Sequence, residues 1–320
     1  MNKLILYSLN LLASSIKIFF LRIRGAQIGK RVLIGRVIFR AKPKNIVIGD
    51  GVVISSGVVF DKLKSIEIKD YVKIHEKVHI ENGTNGEAAF SISNNSWVGS
   101  ETILNCERNI TIEGNVGIGC RSQLWTHGYF PSIADGYPSK FGSVTIKEGA
   151  WLPPSCIILP DVVIGEYSII GTGSVVTKNI PDRVFATGIP CQVKAEENTY
   201  RKAVTPQEKI ELVLKGCAEN IQQKGGSIKQ LGENTWQCSF LFKRFKFSFQ
   251  EDSEDWDKQQ GANCIFVWNP PKILDQMPKN TSLFILSSNS YTKQATLHEW
   301  IVVRALLDSC TLRLMPIYTK

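Results

Sequence analysis

Paired cysteines are what this sequence most plainly lacks. Eight cysteines are scattered over 320 residues with no CxxC and no close pair, which excludes a disulfide framework and a structural zinc site and makes a reducing cytoplasm the expected compartment. Cys106, Cys120, Cys156 and Cys191 therefore read as small hydrophobic or turn residues rather than nucleophiles. Acidic residues are missing from the first 44 positions, which hold ten of the 38 Lys and Arg; the other 28 face 29 Asp and Glu. The net charge of +9 is thus the property of one end, suited to an acidic membrane surface or a phosphorylated carrier. The paired aromatic and basic motifs of an RNA-recognition domain are absent, so nucleic acid is not an expected partner. Also absent is an uninterrupted apolar run of about 20 residues, the length of a membrane span. Residues 2–24 are strongly apolar but interrupted by Lys17, and they show neither the charged start nor the cleavage site of a secretory signal.

What the sequence does contain is a repeat. Ile146, Leu152, Ile158, Ile164, Ile170 and Val176 recur at intervals of six, a period that fits neither a helix at 3.6 nor a strand at 2. A hexapeptide period predicts a parallel β-helix, with one short strand and one turn per repeat and eighteen residues per triangular coil. The same register holds upstream in sets of three: Ile48, Ile54, Phe60; Ile68, Ile74, Ile80; Ile92, Val98, Leu104; Ile112, Ile118, Leu124. Every longer gap falls between a third and a first position, so all insertions should project from one vertex. The longest, between Leu124 and Ile146, contains His127.

Taken in order, residues 2–24 can form an amphipathic helix, because Lys3, Asn10, Ser14, Lys17 and Arg24 share an arc of about 80°. Such a helix can lie on a membrane, or it can cap the open end of the β-helix and bury its apolar face there. The solenoid begins at Ile28-Gly29 and Ile34-Gly35, with complete coils expected from Ile48 to Val176. Gly29, Gly35, Gly49, Gly99, Gly119, Gly165 and Gly171 follow interior residues, where tight turns favour the absence of a Cβ. The segments 178–181 and 188–190 are expected to close the solenoid with turns rather than a further strand, and residues 195–204 read as a polar linker. Thr205-Pro206-Gln207-Glu208 is a capping box that opens a helix ending at Gly225-Gly226. Trp236, Cys238, Phe240 and Phe242, then Phe245, Phe247 and Phe249, alternate as in strands joined through Lys243-Arg244. Further strands are expected at 262–268, 282–287 and 311–317, and a helix near 295–308. The domain division that follows is an N-terminal helix at 1–25, a β-helix at 26–195 and a small α+β domain at 205–320.

The stretch from His127 to Val193 resembles the end of the hexapeptide-repeat O-acetyltransferases, the galactoside and maltose acetyltransferase group and related polysaccharide O-acetyltransferases. Their pattern is a loop histidine, a tryptophan 24 residues later, a run close to IGAGSVVTKDIP and a GxP; here stand His127, Trp151, IGTGSVVTKNIP at 170–181 and Gly188-Ile-Pro190. The resemblance implies a left-handed β-helix, acetyl-CoA as donor, no metal, a homotrimer with sites between neighbouring subunits, and a carbohydrate hydroxyl as acceptor. It makes His127 the general base, since imidazole exchanges protons near neutral pH. It makes Trp151, which precedes interior Leu152 and should point outward, a wall for the acetyl-donor arm. Pro154, Thr172, Thr177 and Lys178 fall at donor-contacting positions. The chain departs from the pattern at Pro153-Pro154 and at Gln192, where the family often has Gly-Ser or Gly-Ala and Arg, so the resemblance carries the pantetheine channel further than the nucleotide end. One coil below His127, Asn105 or Glu107 can orient the imidazole through its second nitrogen.

Other classes remain in view. His75 and His79 both flank interior residues, as in zinc hydratases built on similar trimers, but their spacing to His127 does not match that group. N-acetylation of a nucleotide sugar and a non-catalytic scaffold acting through residues 205–320 are the remaining alternatives.

Overall fold

The computed structural model describes residues 3–83, 86–128, 132–232, 235–240, 243–250, 264–267, 281–288, 290–293, 296–309 and 315–317. It divides into two compact units, Met1–Arg201 and Lys202–Lys320.

The first unit is a three-sided left-handed β-helix. Its faces are sheets of seven, nine and seven strands, parallel except for the last strand of the second face, and successive coils stack strand on strand on the same face. Interior residues form ladders because the strands pair in register. Ile48, Ile68, Ile92, Ile112, Ile146 and Ile164 stack on the first face, and all are buried. Burying each such side chain contributes about 1.5–3 kcal/mol, and a step of six residues returns the next one to the interior. The insertions do lie at a single vertex, between the third and first faces, as at Lys62–Lys64 and between Trp125 and Val144.

Three expectations about the ends of the solenoid need correction. The first complete coil begins at Gln27 rather than Ile48: Ile38–Arg40 supplies its third side, with Phe39 stacked on Phe60 at 5.0 Å. Here the step from Ile34 to Phe39 is five residues, which breaks the period without breaking the coil. At the other end, the chain adds a strand. Ile180 bridges to Ile164, Val184–Gly188 extends the second face by pairing with Ile169–Ile170, and Cys191–Glu196 turns back against it. The segment 195–204 is only partly a linker, because Glu197–Tyr200 is a short helix held by the Arg183–Glu197 ion pair at 2.9 Å and by the Phe185–Tyr200 ring contact.

The glycines also have a different cause. At Gly119 a Cβ would lie 2.3 Å from the Pro154 nitrogen of the next coil, and at Gly99 2.5 Å from that of Cys120. Close approach between coils, not turn conformation, excludes a side chain; the left-handed turn positions are largely taken by other residues, such as Asn95 and Asn115.

The N-terminal helix, α1 (Lys3–Ile23), covers the open first coil. It was expected, as a cap, to turn its apolar face inward, yet much of what it presents is polar. Ser14 Oγ accepts from the Ile34 N–H at 2.8 Å, Lys17 Nζ donates to the Gly35 carbonyl at 2.7 Å, and Arg22 donates to the Ile28 and Gly29 carbonyls. Ile18 and Leu21 complete the contact. The reason is that a terminal coil exposes backbone groups with no neighbouring strand, and apolar side chains cannot satisfy them.

In the second unit the capping box forms as expected, with Glu208 Oε2 accepting from the Thr205 N–H at 2.8 Å. The helix Pro206–Gln223 buries Ile210, Val213, Cys217 and Ile221. A seven-stranded mixed sheet runs in chain order from Ser227–Gly232 to Met315–Ile317, and Leu297–Ser309 is helical. Lys243 and Arg244 do not join the two strands: they lie within the strand Lys243–Gln250 and pair with Phe240 and Ser239. Phe242 lies outside the described residues.

The stacking of coils predicts that Gly119→Ala lowers stability by about 1–3 kcal/mol, the usual cost of overpacking. Denaturant unfolding measures it, and an unchanged midpoint would contradict the close approach.

Candidate active site

Strand Gln123–Trp125 leaves the third face and the chain swings out at the vertex. His127–Gly128 then pairs antiparallel with Lys140–Phe141, which makes the insertion a ribbon rather than a free loop. Thr126 anchors its base: Thr126 Oγ1 donates to the Asn105 carbonyl at 2.7 Å and accepts from the Arg108 N–H at 3.0 Å, while its carbonyl accepts from the Gly142 N–H.

The imidazole of His127 is half-buried, with the Trp125 ring edge-on at 6.1 Å and the Phe141 ring stacked at 6.2 Å. The guanidinium of Arg108 covers the Phe141 ring at 4.6 Å. His127 Nδ1 lies 2.7 Å from Oδ1 of buried Asn105. A carboxamide oxygen only accepts, so with Oδ1 facing the ring Nδ1 is the donor, and in the neutral imidazole Nε2 is the nitrogen left to accept. That is the tautomer of a base. Of the two residues considered for orienting the ring, Asn105 makes the contact, whereas Glu107 Oε1 accepts from the Gly83 N–H at 2.6 Å.

The other sequence-predicted residues fall elsewhere on the prism. Thr177 and Lys178 follow the third-face strand Val175–Val176, at the vertex of His127 but two coils on, about 10 Å along the axis at the usual strand spacing. Pro154 and Thr172 occupy stacked turns between the second and third faces, where the Gly173 N–H donates to the Pro154 carbonyl at 3.2 Å. Trp151 stands on the outer side of the second face and is 47% exposed, while Leu152 is fully buried. In a three-sided prism the vertex between the third and first faces is opposite the second face. One chain therefore does not bring His127 and Trp151 together.

The nearby thiols are poor nucleophiles. Burial pushes Cys106 up strongly, helped by the Glu107 and Glu81 charges, and burial pushes Cys156 up to about 11. His75 packs edge-on against Trp97 at 5.4 Å and lies 3.7 Å from Glu76, and no group of three or more His, Cys, Asp or Glu gathers among the described residues of one chain. Sequence reading missed Trp125, Thr126, Arg108 and Phe141. Only Trp125, flanking interior Leu124, carried a periodic signal of its position.

Residues 143–178 match the bacterial transferase hexapeptide (six repeats) family. A galactoside O-acetyltransferase of Lactococcus lactis subsp. lactis (strain IL1403) is 45% identical over 73 residues, 23% of this chain and 35% of that protein. A dTDP-3-amino-3,6-dideoxy-alpha-D-galactopyranose 3-N-acetyltransferase of Aneurinibacillus thermoaerophilus is 42% identical over 57 residues, 18% of this chain and 30% of that protein. Among solved structures, the polySia specific acetyltransferase NeuO aligns with 59% of this chain and 92% of its own, at 20% identity and a TM-score of 0.33. The solenoid is a hexapeptide-repeat β-helix, and within it residues 143–178 are similar to bacterial hexapeptide transferases. Its best-matched stretch is similar to sugar acetyltransferases, and the chain spans about a third of the length of the curated relatives it matches.

The Asn105 contact has a spectroscopic consequence. Nitrogen NMR of the parent should report the Nδ1–H tautomer of His127, and Asn105→Ala should populate the Nε2–H form. The same tautomer in both proteins would separate Asn105 from the imidazole.

Proposed function

We propose that this chain is an acetyl-CoA-dependent O-acetyltransferase acting on a carbohydrate hydroxyl, of a surface polysaccharide or its precursor, and working as a homotrimer. The observation that carries the reading is the His127 Nδ1 to Asn105 Oδ1 contact of 2.7 Å, which leaves Nε2 as a proton acceptor at the edge of an inserted ribbon. Nε2 takes the proton of the acceptor hydroxyl as its oxygen attacks the thioester carbonyl. Backbone N–H groups stabilise the oxyanion, and its collapse expels the CoA thiolate, which recovers the proton from the imidazolium. No acyl-enzyme is needed once both substrates are aligned.

Trp151, Pro154, Thr172, Thr177 and Lys178 would hold the donor, with the Lys178 charge near phosphate. Because Trp151 lies across the prism from His127, the donor wall and the base come from neighbouring subunits. No disulfide joins cysteines among the described residues, which together with a CoA donor fits a cytoplasmic site of action. Residues 205–320 are proposed to be an accessory domain that shapes acceptor use, because the coils and the site residues are complete before it begins.

Labelled acetyl-CoA and a panel of glycans, amino sugars included, test the reading, with NMR of the product. Transfer to a hydroxyl is expected, and His127→Ala should cut turnover by roughly 10²–10⁴ while sparing acetyl-CoA affinity. Transfer to an amine would favour the N-acetyltransferase alternative; near-normal turnover would remove His127 from the mechanism. A chain truncated after Val204 should still hydrolyse acetyl-CoA, and its insolubility would contradict the domain division.

A further inference from the structure

Ser14, Lys17 and Arg22 of α1 are turned toward the solenoid, and this leaves the apolar side of the segment from Leu12 to Ile23 outside. Leu12, Ile16, Phe19, Phe20 and Ile23 are between 50% and 66% exposed. At 3.6 residues per turn they share an arc of about 100°, on the opposite side of the helix from buried Ser14 and Ile18. An ordinary surface helix is arranged the other way round, with its apolar stripe on the core. Here Ser14, Lys17 and Arg22 are fixed by backbone groups of the first coil, so rotation about the helix axis cannot hide the stripe without breaking those bonds. Contiguous exposed apolar patches of this kind mark interaction surfaces.

The charge around the stripe selects what covers it. The first 44 residues hold ten Lys and Arg and no acid, and Arg22, Arg24, Lys30 and Arg36 are exposed at this end, while Arg40 is paired with Asp61 at 3.1 Å. A second copy seated on the stripe would bring the same positive field against itself. An anionic bilayer complements it, as with other interfacial helices that pair an apolar face with basic neighbours. No described helix is long and apolar enough to cross a membrane, so α1 would lie in the plane of the surface.

We infer that α1 is an interfacial anchor, bound through its polar side to the first coil and through Leu12, Ile16, Phe19, Phe20 and Ile23 to the headgroup boundary of an anionic membrane. This holds whether or not the chain transfers acetyl groups.

The test is co-sedimentation of the full-length chain with phosphatidylcholine vesicles, with and without phosphatidylglycerol. The parent should bind the anionic vesicles, and added salt should weaken binding. Phe19→Ser with Phe20→Ser should reduce vesicle affinity by at least about tenfold without changing the mass in solution. Ile16→Ser with Ile23→Ser repeats the test on other positions of the stripe, so a folding defect in one pair cannot imitate lost binding. The inference is overturned if the parent ignores anionic vesicles, if both double variants bind them like the parent, or if the variants instead lose their oligomeric mass, which would make the stripe a contact between copies.

Discussion

Everything in the first unit depends on the in-register stacking of interior side chains from coil to coil. Parallel strands two to five residues long hold too few hydrogen bonds to stand alone; each is fixed because its interior residue sits on the one below and its backbone pairs with its neighbours. That constraint tolerates extra residues only where no strand is needed, at a vertex. Once the vertex between the third and first faces had accepted insertions, the His127 ribbon could grow there without disturbing the ladders. The first coil shows the same rule from the other side. Its lower edge has no neighbouring strand, so side chains of α1 supply the missing partners.

The same rigidity separates the proposed catalytic groups. His127 and Asn105 meet at one vertex because Asn105 and Trp125 are register partners on adjacent strands. Trp151 cannot join them within the chain, since a prism packed with Ile, Leu and Val does not fold its second face onto the opposite vertex. Completion of the site by a neighbouring copy is then a geometric requirement of the proposed chemistry.

Much of this was legible beforehand because the period is local. Six-residue spacing located the interior ladders, placed the insertions at one vertex and set Trp151 outward, all from residue type at fixed intervals. The ends were less legible. Phe39 arrives one residue early and Ile180 only four residues after Val176, so coils that are structurally continuous lose their period in the sequence. The orientation of α1 was also hidden, because amphipathicity defines two faces but not which one the protein turns inward. At the candidate site, Asn105 was legible as one of two neighbours on the coil below, but the choice between Asn105 and Glu107 depended on which side chain Gly83 engages. Phe141 and Arg108 had no periodic signal, since their places are set by the pairing of the ribbon and the turn beneath it.

The central claim is that each site is assembled from the His127 vertex of one copy and the Trp151 face of the next. Its most direct measurement is activity of mixed oligomers, made by co-expressing His127→Ala with Trp151→Ala and assayed at limiting acetyl-CoA. Each variant alone should be nearly inactive, but the mixture should recover about a quarter of the parent activity, because random assembly pairs an intact histidine with an intact neighbouring tryptophan in that share of sites. A mixture no more active than the separate variants would mean that both residues serve the same chain, and the shared site would be wrong.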